Sequence, residues 1–121
     1  MSNKPILLVD FDGVCHSYVT GWQGADVIPD APVPGLEKAF QSYLEHFDVQ
    51  IYSARTKQEG GREAMVEWFD KYFPSILHAI KFPEQKPAAF LTIDDRAITF
   101  IGEWPAVETL RNFKTWNDKA V

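Results

Sequence analysis

Apolar residues follow two patterns along the chain. Short unbroken runs at 6–9 (Ile-Leu-Leu-Val) and 89–93 (Ala-Phe-Leu-Thr-Ile) each end in acid pairs, Asp10-Phe11-Asp12-Gly13 and Asp94-Asp95. Such runs predict buried strands of a parallel sheet. Leu36, Ala39, Phe40, Tyr43, Leu44 and Phe47 instead recur at the spacing of one helix face, and Met65, Trp68, Phe69, Tyr72 and Phe73 repeat it before Pro74 stops the helix. Residues 49–53 read as a second strand, 76–82 as a third, 89–93 as a fourth and 98–101 as a short fifth. Val107, Leu110, Phe113 and Trp116 predict a closing helix. Residues 13–34, rich in Gly and Pro, read as a flap inserted after strand one. Within it, 18–19 and 27–28 flank Gly21-Trp22-Gln23-Gly24 as a short hairpin.

Strands alternating with helices favour an α/β fold with a mostly parallel central sheet and right-handed crossovers. The 121 residues are expected to form a single domain, 1–121, without internal repeats. A hydrophobic share of 45%, with nine Phe and four Trp, supports a packed core rather than disorder. The net charge of −5 argues against a general positive grip on nucleic acid. Cys15, the one cysteine, excludes an internal disulfide, suits a reducing compartment and reads as a small buried apolar residue. The run at 6–9 falls far short of a secretion signal or membrane span, so a soluble, cytoplasmic protein with no membrane partner is expected.

Ligands of open α/β sheets bind outside the carboxyl ends of the strands. Asp10, Asp12, Asp94 and Asp95 should therefore gather at one edge. Their mutual repulsion calls for a cation, and oxygen-only ligands suit Mg²⁺. Strand two ends at Ser53, and the loop before strand four carries Lys86.

The ordered set Asp-x-Asp, Ser, Lys, Asp-Asp resembles the haloacid dehalogenase superfamily, over residues 6–95. That resemblance implies a three-layer Rossmann-like fold with helices on both sheet faces. No cap domain is expected over the site, which should be open. It also implies a Mg²⁺-dependent phosphomonoester hydrolase working through a phosphoenzyme. By position, Asp10 matches the nucleophile and Asp12 the acid/base, whose backbone carbonyl also faces the metal. Ser53, with Ala54 and Arg55, matches the phosphate-binding segment. Lys86 matches the lysine that steadies nucleophile and phosphate, and Asp94 and Asp95 match the metal-binding acids. The physics asks for the same types: a carboxylate attacks a phosphate dianion only when cations neutralise both, and general acid catalysis wants a proton on Asp12.

Lys81 competes with Lys86 for the lysine role, and Lys86 is preferred for its place just before strand four. Arg55, Arg96, His16 and Trp22 are candidate substrate contacts, each with an ordinary structural role as the alternative. His46 and His78 read as structural. Gly60-Gly61 lacks the P-loop pattern and reads as a helix start. The substrate, a phosphorylated small molecule or macromolecular end, is not named by these residues. Two other functions share the set: a non-catalytic binding module, and a phosphotransferase using the same phosphoenzyme. A receiver domain of signalling proteins orders its Asp, Ser/Thr and Lys differently and does not fit.

Overall fold

The computed structural model describes residues 3–118. Three parallel strands, β1 (Ile6–Val9), β2 (Asp48–Ile51) and β3 (Leu91–Ile93), form an open sheet in the order β2-β1-β3. Leu7 lies opposite Val49 on one side and Leu91 on the other; Val9 likewise lies between Ile51 and Ile93. The central strand is therefore apolar at every position, as its sequence requires. The chain is α/β.

Helix α1 (Leu36–His46) starts after Gly35, whose φ of 92° is left-handed, and ends where Phe47 turns extended and donates to the Tyr43 carbonyl. Helix α2 (Gly61–Tyr72) stops at Phe73, ahead of Pro74. The predicted apolar faces are the buried ones: Leu36 and Phe40 of α1, with Met65, Trp68 and Phe69 of α2, join Leu7, Val9, Val49 and Ile51 in one core cluster. Side chains alternate across a strand, so Leu8, Gln50 and Thr92 belong to the opposite face.

Five expectations change. Residues 76–82 do not form a strand. Pro74 sits in the first turn of a short helix, α3 (Pro74–Leu77), where its missing N–H costs nothing. Only Lys81 then reaches the sheet edge, accepting from Ile51 N–H and donating to the Val49 carbonyl. Pro83 follows and has no donor with which to extend the ladder. Ile76, Ile80 and Phe82 are nevertheless buried, so burial of the run was legible while its conformation was not.

Among the described residues, 98–101 form no strand, and the closing helix shrinks to α4 (Val107–Arg111), with no buried residue and no packing against another element. The helix layer expected on the second sheet face is thus absent among the described residues: α1, α2 and α3 all feed the one cluster. The flap pairs at its base rather than at 18–19 with 27–28. Ser17 N–H donates to the Ala31 carbonyl and Val33 N–H to that of Cys15, both within 2.9 Å. Among the described residues, no helix is long and apolar enough to cross a membrane.

Candidate functional site

The chain leaves β1 for β2 on one side and later returns to place β3 on the other. Strand order reverses beside β1, and ligands of open α/β sheets bind at that crevice. Asp10 stands there, its N–H donating to the Ile93 carbonyl at 2.9 Å, which brings the two acidic segments together. The sharp turn after it is held by the Phe11 carbonyl, which accepts from the N–H groups of Val14, Cys15 and His16.

Ligand oxygens of Asp10, Asp94 and Asp95 all lie within 4.8 Å of one another. Opposite ligands of an octahedral Mg²⁺ shell are about 4.2 Å apart, so small side-chain rotations would seat the ion. Gly13 makes the gathering possible: a Cβ built on it would fall 2.2 Å from Asp95 Oδ2, and its φ of +81° disfavours any side chain. Donor chemistry and space both fit a hard divalent cation. Uncompensated, the cluster is strained electrostatically. Burial, with the nearby Asp94, Asp95 and Asp12, raises the Asp10 carboxyl to about 7 despite an opposing backbone hydrogen bond with Phe11. Burial and Asp94 likewise raise Asp95, against its own backbone hydrogen bond.

Asp12 lines the same cleft as Asp10 and Asp95 but lies outside the three-acid cluster. Its Oδ1 and Oδ2 accept from Arg55 Nε at 3.1 and 2.9 Å, and Oδ1 also accepts from His16 Nδ1 at 2.9 Å. Asp30 N–H donates to His16 Nε2 at 3.0 Å, which places the ring proton on Nδ1, aimed at Asp12. Burial alone would raise Asp12, yet the hydrogen bonds from His16 and Arg55 outweigh it and hold the carboxyl below its ordinary value. The proton expected on Asp12 is therefore disfavoured in this geometry. Its carboxylate also stands apart from the three-acid cluster, leaving only the backbone carbonyl for the metal role.

Arg55 is a correction too. It is 0% exposed and absent from the cleft wall, so it offers no fork to a substrate phosphate. Its Nη1 donates to the carbonyls of Gly24, Ala25 and Val27, tying Asp12 to the flap, and Nη2 is buried without a hydrogen-bond partner. The Trp22 ring lies over the guanidinium, 4.7 Å from Cζ, which offsets part of that loss. His16, fully buried, is likewise structural rather than a substrate contact. Cys15 is buried as expected, and burial pushes its thiol well above the usual range.

Ser53 lines the same cleft as Asp10, but its Oγ is engaged, accepting Arg55 N–H at 2.9 Å and donating towards Met65 Sδ at 3.6 Å. Ala54 is exposed beside it. Lys86 shares a small cavity with Asp10, Ser53 and Asp94. Lys81 instead pairs with Asp48 at 3.1 Å, at the amino end of β2, away from the acids. Arg96 lines the main cleft, its N–H donating to Asp94 Oδ1.

Of the far wall, sequence reasoning singled out Trp22 alone and missed the rest. Tyr18 and Trp22 of the flap and Thr115, Trp116 and Asn117 of the tail line a cleft of about 950 Å³ over Asp10 and Asp95. Trp116 Nε1 donates to the Gly13 carbonyl at 2.7 Å, and Asn117 Nδ2 to that of Ser17 at 3.1 Å. The expected open site is thus walled on two sides. The tail carries no local signal for this; Trp116 looked like one more apolar helix position. Compared with protein-family models, curated proteins and solved structures, the chain matches none.

Proposed function

We propose that the protein is a Mg²⁺-dependent phosphomonoester hydrolase of the haloacid dehalogenase type, with Asp10 as nucleophile. The observation that carries this reading is the convergence of Asp10, Asp94 and Asp95 at the switch point of a parallel sheet, with Lys86 in a cavity beside them. Acids so placed repel, and a cation with a phosphate to receive is the chemistry that uses them.

Asp10, Asp94 and Asp95 would hold the metal, together with the Asp12 carbonyl. Bound there, Mg²⁺ would lower the Asp10 carboxyl and offset the charge of an incoming phosphate. Lys86 reaches the same space and adds a second positive charge. Asp10 attacks phosphorus, the ester oxygen leaves as the P–O bond breaks, and water then cleaves the acyl phosphate. Asp12, kept ionised by Arg55 and His16, is in the state needed to accept the proton of that water. For the first step it must take up a proton before giving it to the leaving oxygen.

The test is phosphate release from a broad panel of phosphomonoesters with and without Mg²⁺, comparing the wild type with Asp10→Asn. Metal-dependent release, lost in the variant, is expected. Equal inertness of both proteins across the panel, each with an unchanged far-UV circular dichroism spectrum, would leave a non-catalytic binding module as the better reading.

A further inference from the structure

Three aromatic side chains share the cleft with Asp10 and Asp95: Tyr18, Trp22 and Trp116. Each is anchored on its far side. Tyr18 packs edge-on to His16 at 5.8 Å, Trp22 lies over Arg55 at 4.7 Å, and Trp116 gives its N–H to the Gly13 carbonyl at 2.7 Å. The three rings make no ring contact with one another among the described residues. Trp22 and Trp116 remain 46% and 64% exposed. Tyr18 also carries a φ of 63°, a left-handed backbone that bulky residues seldom adopt and that clusters at ligand sites. Its presence in a loop with glycines to spare at 21 and 24 puts an aromatic side chain, rather than a relaxed backbone, at this position.

We propose that the cleft binds phosphomonoesters whose alcohol portion carries a planar ring, with the ring stacked among Tyr18, Trp22 and Trp116 and the phosphate directed to Asp10. The phosphate end rests on the hydrolase reading; the ring end rests on the aromatic wall alone. Fixed rings with free faces lose little conformational freedom when a ligand ring stacks on them. A cleft of about 950 Å³ also far exceeds the needs of the phosphate. Nucleotides and simple aryl phosphates share this chemistry.

The experiment measures kcat/KM in Mg²⁺ for adenosine monophosphate, phenyl phosphate and the ring-free comparators ribose phosphate and glycerol phosphate. Ring-bearing substrates should lead. The ring-over-comparator ratio should fall about tenfold in Trp116→Ala and return in Trp116→Phe, in line with the usual worth of base stacking on an aromatic side chain. A lead for the nucleotide or for the phenyl ester identifies the source, and either supports the proposal. Calorimetric binding to Asp10→Asn separates the two readings. No hydrolysis with adenosine monophosphate still binding above ribose phosphate would sink the hydrolase reading and leave the ring site standing. Equal affinities, or a ratio unmoved by both Trp116→Ala and Trp22→Leu, overturn the ring site.

Discussion

Arg55 and Asp12, 43 residues apart in sequence, form a buried ion pair in which both carboxylate oxygens accept from the same Nε. The same guanidinium closes the flap through three backbone carbonyls. One side chain thus joins His16 in holding Asp12 ionised and fixes the position of the loop carrying Trp22.

Removing Arg55 should be severe. Arg55→Ala leaves Asp12 with His16 as its remaining partner and three carbonyls unsatisfied, and breaking one side of a buried pair typically costs about 3–5 kcal/mol. Urea denaturation should show a loss of that size. Arg55→Lys should recover little of it, because an ammonium cannot serve Asp12 and the flap from one planar fork.

Gly13→Ala tests the close approach of Asp95. The added Cβ would meet Asp95 Oδ2 at 2.2 Å in a backbone conformation that costs at least about 1 kcal/mol for a non-glycine residue. Stability should drop modestly. The Mg²⁺-induced rise in melting temperature should vanish, since Asp95 must leave the cluster. Retention of that rise would show that Asp95 is not a ligand.

The Asp10 carboxyl moves from its ordinary 3.8 to about 7. Between these values the folded protein holds a proton that the unfolded chain releases, so metal-free stability should decline as pH rises through that window. Metal must displace this proton. Mg²⁺ affinity should rise about tenfold per pH unit below about 7 and level off above it, as titration calorimetry would show. Asp94→Asn removes a neighbouring charge that raises Asp10. It should stabilise the metal-free protein at neutral pH while weakening Mg²⁺ binding.

The two lysines should separate cleanly. Lys86→Ala should lower kcat on every phosphomonoester by roughly a hundredfold, as expected for loss of a charge-stabilising group. Lys81, 61% exposed in its pair with Asp48, should cost under about 1 kcal/mol when replaced by Ala and leave turnover unchanged. Similar kinetic losses in both variants would contradict the assignment.

The amino-acid pattern by itself determined the strands ending at Asp10 and Asp94, the buried faces of α1 and α2, and the meeting of Asp10, Asp94 and Asp95 at one sheet edge. These depend on local periodicity and on the rule that parallel strands present their carboxyl ends together. The pattern did not determine that Leu91 and Thr92, ahead of Asp94, are exposed, nor that Asp12 stays outside the acids' cluster. Only the tertiary structure decided what Asp12 and Arg55 are for, and that Trp116 closes the cleft over Gly13 from 103 residues away. It also turned most of the expected third strand into α3 and a single bridge, because Pro74 suits a first helical turn and an apolar run alone does not specify its conformation. Contacts across such separations leave no periodic trace. They depend on which polar groups burial leaves in need of partners, and that is settled only once the chain has packed.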